Sequence, residues 1–114
     1  MSEHDIQKGI VEYLRAVLRP NVRVVAVANR PRNAIQGAME KARGASKGFP
    51  DLLLVGGFWA AIEVKGPKGT LSKEQKEWRD FFQLRGVPYA TVKSIDDVRA
   101  ALEYWGVEVR GKAQ

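Results

Sequence analysis

The sequence predicts an α/β fold with the element order α-β-β-β-α-β-α, in which helices flank a mixed sheet. Segments with helical hydrophobic periodicity alternate with short runs rich in valine, isoleucine and leucine, and glycine or proline separates them. The 114 residues are 45% hydrophobic and 28% charged, which is typical of globular domains. A chain of this length encloses one modest core, so we expect a single domain over residues 1–114.

The first helix is predicted over residues 2–18. Ser2 can cap it, with Asp5 three residues on, and Pro20 ends the apolar periodicity. The valine-rich residues 22–28 are typical of a strand.

Residues 30–48 are predicted to form a long basic loop with one helical turn around residues 34–42. Loops of this length in small domains are often functional. A single acid, Glu40, stands against five cations, which are Arg30, Arg32, Lys41, Arg43 and Lys47. This excess favours a polyanion such as nucleic acid, although a solvated loop is the alternative interpretation.

A hairpin follows, because residues 51–55 and 59–64 are two apolar runs separated by Gly56-Gly57-Phe58. A three-residue turn pairs Val55 with Trp59 and brings Asp51 opposite Glu63, with their Cβ atoms roughly 5 Å apart.

The length of this turn decides whether the hairpin can form a site. Strand alternation adds Lys65 to the face that Asp51 and Glu63 share. A two-residue turn would pair Asp51 with Ile62 and send the two acids to opposite faces. We therefore predict the three-residue turn. Pro50, which has no N–H, would end the pairing just before Asp51.

The rest of the chain predicts an amphipathic helix, a strand, a last helix and a short tail. These are residues 72–85 ended by Gly86, residues 87–93, a helix capped by Ser94, and a tail over 107–114 with a short strand at 107–109. Several aromatic residues are expected in the core, namely Phe49, Trp59, Trp78, Phe81 and Trp105.

Composition excludes several kinds of chemistry. The chain has no cysteine and one histidine, His4, which excludes disulfides, thiolate sites, zinc clusters and Ser-His-Asp triads. It has no apolar stretch that could span a membrane and no signal-peptide character, so we expect a cytoplasmic protein without a membrane partner.

The hairpin residues have the chemistry that phosphodiester hydrolysis requires. A divalent cation binds the phosphate and activates water. Mg²⁺ prefers hard oxygen ligands such as the carboxylates of Asp51 and Glu63. A neighbouring lysine such as Lys65 can orient the water and neutralise the phosphate.

At these residues the chain resembles the VRR-NUC domains of the PD-(D/E)XK nuclease superfamily, in particular the stand-alone type found in bacteriophages. The resemblance extends from Ser2 to about Leu102 and implies a restriction-endonuclease-like α-β-β-β-α-β core. The matching segments are Ser2-Glu3-His4-Asp5-Ile6-Gln7, Lys47-Gly48-Phe49-Pro50-Asp51-Leu52, Ala61-Ile62-Glu63-Val64-Lys65 and Leu71-Ser72-Lys73-Glu74-Gln75.

The resemblance implies a Mg²⁺- or Mn²⁺-dependent endonuclease that acts on DNA and needs no other cofactor. Asp51 and Glu63 would bind the metal through their side chains and Val64 through its carbonyl, while Lys65 would assist the attacking water. It further implies branched substrates such as Holliday junctions or flaps, a homodimer, and the host cytoplasm if a phage encodes the protein.

The first helix offers two candidates for a further acid. On a helical wheel that starts at Ile6, Glu3 falls within the apolar arc and Glu12 on the far side. Glu3 also belongs to a matching segment, so we choose Glu3. The alternative is that Glu3 only complements the helix dipole.

Gln75 also has two interpretations. It lies three residues after Ser72, which is capping-box spacing. It also shares a face with Leu71 and Trp78, which would direct it to the sheet, and the resemblance favours this functional role. Ser72 and Lys73 are candidates for holding phosphate at the start of this helix, and the alternative for the lysine is that it is simply exposed to solvent.

The main alternative function is a non-catalytic DNA-binding module that retains the nuclease fold. The presence of Asp51, Glu63 and Lys65 together argues against it. A basic interaction domain without nucleic acid is the weakest candidate.

Overall fold

The computed structural model describes residues 1–28 and 33–111 of the chain. Within them, helices and strands follow one another as α1 (Glu3–Val17), β1 (Val22–Ala26), α2 (Ala34–Ala42), β2 (Leu52–Gly56), β3 (Ala60–Val64), α3 (Lys73–Leu84), β4 (Tyr89–Val92) and α4 (Ile95–Trp105). This order confirms the predicted α/β class and adds one helix to it.

The four strands form one mixed sheet in the order β1-β2-β3-β4. β2 is antiparallel to both β1 and β3, whereas β4 runs parallel to β3. The crossover from β3 to β4 passes through α3, as a parallel connection requires. β2 and β3 are therefore the inner strands.

The hairpin has the predicted register but a longer connection. Leu52 pairs with Ile62 and Leu54 with Ala60, so the same register places Asp51 opposite Glu63. The pairing stops at Leu54–Ala60, which leaves residues 55–59 as the connection instead of three residues. Gly56 pairs with Val22 of β1, and its φ of +115° turns the chain close to the Asn21 carbonyl, where a side chain would collide.

One core lies between the sheet and the helices. α1 presents Ile6, Ile10 and Leu14 to it and packs against β1, β3 and α4. These residues share one helix face because they recur every four positions. Ser2 caps α1 as predicted, since its side chain accepts a hydrogen bond from the Asp5 N–H.

Residues 34–42 form a complete helix, so the prediction of a long loop is wrong there. Asn33 caps α2, its Oδ1 accepting a hydrogen bond from the Gln36 N–H at 2.8 Å. The N-cap and the good helix formers that follow it outweigh the polar, basic and glycine-containing character on which the loop prediction rested.

Two further expectations are corrected, the short C-terminal strand and the burial of two aromatic side chains. Val109 forms an isolated bridge with Leu18 instead of a short strand over 107–109. Trp59 and Phe81 are 61% and 42% exposed, so they are not core residues.

Among the helices of residues 1–28 and 33–111, none has the length and apolar character that crossing a membrane requires.

Candidate active site

Three charged side chains are buried at the ends of the two inner strands. Asp51 immediately precedes β2, Glu63 lies within β3, and Lys65 immediately follows β3. Their exposed fractions are 2%, 1% and 8%, respectively. Charged residues are seldom buried so completely unless they are paired or functional.

Asp51 is held from both sides of β2. Its backbone carbonyl accepts a hydrogen bond from the Val27 N–H at 2.8 Å, which extends the contact with the chain after β1. Its Oδ2 accepts a hydrogen bond from the Val64 N–H, also at 2.8 Å and buried. The carboxylate is thereby fixed against β3, next to Glu63.

Glu63 is oriented by Gln75 from the first turn of α3. The Gln75 Nε2 donates to Glu63 Oε2 at 3.1 Å. The Oε1 of the same carboxamide accepts from the Ser72 N–H at 2.8 Å, and the Gln75 N–H donates to Ser72 Oγ at 3.1 Å. Gln75 therefore completes the capping box through its Oε1 and contacts the Glu63 carboxylate through its Nε2, so the two interpretations do not exclude each other.

Lys65 is anchored at the point where β3 ends. Its N–H donates to the Val92 carbonyl at 2.9 Å, and residues 66–69 then turn back, closed by a 3.0 Å hydrogen bond from the Gly69 N–H to the Gly66 carbonyl. A Cβ at Gly69 would lie 3.3 Å from Lys65 Cδ, so this turn packs on the aliphatic part of the lysine. The turn keeps the lysine in the buried site.

The donor chemistry of the site suits a small divalent cation. Two carboxylates and one lysine carry a formal charge of −1, and carboxylate oxygens are the hard ligands that Mg²⁺ takes, one or two at a time, together with water. Within residues 1–28 and 33–111, no group of three acidic or histidine side chains converges in a way that could hold a metal ion. The residues therefore fit a cation bound by Asp51 and Glu63 better than one in an all-protein cage.

Asp51 also borders a cleft of about 650 Å³ beside α1. Both first-helix candidates, Glu3 and Glu12, line this cleft, so the choice of Glu3 stays a prediction. Glu3 is partly buried and Glu12 is exposed. Glu40 of α2 also lines the cleft, which extends beyond the face of α1 that packs on the sheet.

Among the polar residues of this cleft that sequence reasoning did not assign to the site are Gln7 and Glu40. Gln7 belongs to the segment that begins with Ser2, and Glu40 is the one acid in a basic stretch. Both signals were present, but neither can be interpreted without the position of α2.

The predicted DNA-binding residues fall into two groups. Lys41, Arg43 and Lys47 are exposed on α2 and just after it, and Ser72 and Lys73 lie at the start of α3. Lys41, Lys47 and Ser72 line a common cavity. Arg30 and Arg32 lie outside the described residues.

Tyr89, at the start of β4, was not predicted as a neighbour of the site. Burial, together with the weaker effect of the negative charges of Glu63 and Asp51, raises the pKa of Tyr89 to about 12. The hydroxyl therefore stays protonated at neutral pH beside the two acids.

The family model of the VRR-NUC domain matches residues 18–96, more than half of the chain. The chain belongs to the VRR-NUC domain family. This is a nuclease family, and its matched region contains Asp51, Glu63, Lys65 and Gln75. All of α1, including Glu3, lies outside that region.

The VRR-NUC fold is also found by structural comparison. A solved structure described as a VRR-NUC domain protein superposes with a TM-score of 0.65 at 19% sequence identity, covering 90% of this chain and 86% of that one. This likeness confirms the fold and no more. A search of curated proteins gives no significant match.

Proposed function

We propose that this VRR-NUC domain is a Mg²⁺- or Mn²⁺-dependent endodeoxyribonuclease. The observation that carries the proposal is the hairpin register, which puts Asp51 opposite Glu63 on the two inner strands with Lys65 just beyond. Two buried carboxylates at facing positions repel each other unless a cation lies between or beside them. Membership of a nuclease family agrees with this chemistry.

The residues have distinct roles in the proposed reaction. Asp51 and Glu63, with the Val64 carbonyl, would hold the cation, which when bound polarises the phosphate and lowers the pKa of water. The Val64 N–H and Gln75 Nε2 keep the two carboxylates oriented. Lys65 would position the attacking water and offset the charge that develops on the phosphate.

We propose branched DNA, such as Holliday junctions or flaps, as the substrate. The resemblance to bacteriophage VRR-NUC domains favours this class, and the basic residues after β1 suit phosphate contacts that select shape more than sequence. Symmetric cutting of a junction needs two sites, and each chain has one candidate site, so we propose a homodimer as the working unit.

The proposal is tested by comparing Lys65→Ala with Lys68→Ala, an exposed lysine three residues on. Wild type and both variants are incubated with junction, flap and linear DNA in Mg²⁺ or EDTA. We expect Lys65→Ala to lose about 10²-fold or more in rate, Lys68→Ala to remain near wild type, and EDTA to abolish cleavage.

Two results would contradict the proposal. Cleavage that survives EDTA would exclude the metal, and equal cleavage by Lys65→Ala and wild type would exclude the site. Metal-independent DNA binding without cleavage of any substrate would instead favour a non-catalytic module.

A further inference from the structure

A cavity of about 940 Å³ lies beside the candidate active site. Its walls are α2, residues 45–49 and the first turns of α3. Gln75 is part of the wall, and its Nε2 donates to Glu63. The cavity and the carboxylates therefore meet at one side chain.

Aromatic rings form much of the cavity wall. Phe49, Trp78 and Phe81 all line it. The Trp78 ring packs edge-on against the Phe49 ring, with 4.9 Å between the ring centroids. Its centroid lies 5.4 Å from that of Phe81, so the three rings form one cluster. Phe81 is 42% exposed, although its apolar ring gains nothing from contact with water.

One face of the Phe81 ring is already occupied. The Arg85 guanidinium lies 3.8 Å from the ring centroid. Aromatic faces favour both cations and stacked planar groups, and the Phe81 ring is still partly exposed with the guanidinium in place. A second planar ring can therefore complete the stack.

The charges around the cavity do not attract phosphate by themselves. Lys41 and Lys47 line it, but so do Glu40 and Glu77. With two cations and two anions, the lining suits a neutral group with polar edges. The Ser72 hydroxyl and the Gln75 carboxamide add further hydrogen-bonding atoms.

We propose that this cavity receives one unpaired DNA base from a nucleotide next to the scissile phosphate. The base would stack on Phe81 and Trp78, and its polar edge would face the mixed charges of the lining. A base is planar, neutral and polar at its rim, and the cavity volume lies within the range of small-molecule sites. The inference rests on the proposed nuclease function and narrows its substrates to DNA with an unpaired nucleotide at the cut.

The inference is tested by placing 2-aminopurine, a fluorescent base analogue, at the unpaired or a paired position of a flap. Binding is measured on the Lys65→Ala background, so that no cleavage interferes. We expect quenching at the unpaired position only. Adding Phe81→Leu, which keeps apolar bulk but removes the ring, should abolish the quenching and weaken flap binding by about tenfold.

Three further variants provide controls. Phe81→Trp restores an aromatic face and should restore quenching. Leu84→Ala removes an apolar side chain, 83% exposed, from the same helix without touching the cavity lining, and should have no effect. Ala45→Trp fills the cavity and should reproduce the loss, which keeps the test decisive if Phe81→Leu does not fold.

The outcomes separate this inference from the proposed function. If quenching depends on Phe81 but the wild type cleaves no substrate, the base site stands and the proposed nuclease activity is overturned. If the wild type cleaves DNA but the Phe81→Leu and Ala45→Trp variants bind flaps as tightly as it does, the base site is overturned. A variant-induced change in oligomeric state without a change in flap affinity would also overturn it and assign the cavity to a second copy of the chain.

Discussion

Gln75 joins the start of a helix to a carboxylate of the site through a single carboxamide. Its Oε1 completes the capping box with Ser72, and its Nε2 holds Glu63 Oε2. Because the oxygen is already engaged by the Ser72 N–H, the nitrogen is the end that faces the acid. We therefore regard Gln75 as a positioning residue.

Gln75→Ala and Ser72→Ala should separate these two roles. Gln75→Ala removes the donor to Glu63, and we expect a 10- to 100-fold loss of cleavage, as is common for residues that orient metal ligands. Ser72→Ala removes the cap and should cost about 1 kcal/mol of stability while activity falls far less. Thermal melts and cleavage rates measure both, and equal losses of activity would show that Gln75 acts only as a cap.

Tyr89 gives the protein a specific alkaline sensitivity. Burial raises the pKa of Tyr89 to about 12 from 10.0, so the folded state disfavours the phenolate. The stability from this difference is complete below pH 10 and is lost as the pH rises toward 12. We expect the Tm of wild type to fall more between pH 9 and pH 11 than that of Tyr89→Phe, and parallel pH curves would refute this.

For individual residues, the sequence predicts which strand residues face each other better than it predicts which residues line a cleft. Strand alternation and the predicted register were enough to place Asp51 opposite Glu63, although the connection is longer than the predicted three-residue turn. The first-helix acids could not be resolved, because a helical wheel describes one helix and the cleft is completed by Glu40 from another.

Among the secondary-structure elements, α2 departs most from expectation. Its composition includes a glycine and several charges, which favoured a loop, whereas Asn33 and the good helix formers between Ala34 and Ala42 decide for a helix. The segment after it is constrained by a close approach to α3, and this long-range contact leaves no mark in local sequence patterns.

Gly48 is the point of that approach. Its φ is +82°, and a Cβ there would lie 2.6 Å from Glu74 backbone and side-chain atoms and 2.8 Å from the Gln75 nitrogen. The cavity beside the site depends on this contact, since residues 45–49 form one of its walls.

Gly48→Ala should therefore be far more damaging than Gly44→Ala. Both positions have positive φ, but Gly44 has nothing within 4 Å of an added Cβ. We expect about 1–2 kcal/mol of destabilisation for Gly44→Ala from backbone strain alone, and a clearly larger loss for Gly48→Ala, with reduced cleavage because Gln75 is displaced. Equal shifts in the denaturation midpoint of the two variants would show that α3 moves away from residue 48 without a loss of stability.

Over the whole molecule, the net charge of +6 should govern the encounter with DNA. Binding that neutralises phosphates releases counterions, so affinity should fall steeply with salt. Lys73, at the first position of α3 and exposed, is an expected phosphate contact.

Lys73→Ala should reduce the slope of log affinity against log salt by about one. Arg99→Ala changes the net charge equally but removes a residue of α4 that already pairs with Asp96, so its slope should match wild type. Both slopes can be measured by fluorescence anisotropy on a flap. Identical slopes for all three proteins would exclude Lys73 from the DNA contact.

The position of β2 and β3 inside the sheet links the candidate site to the most protected part of the fold. Each of these strands is hydrogen-bonded on both sides, so their backbone amides should exchange with solvent only when the whole domain opens. Local breathing of the termini or of residues 45–49 then leaves the carboxylates in register. Heat should consequently abolish catalysis and unfold the domain in a single transition, and the surrounding segments are free to diverge in sequence while the chemistry is preserved.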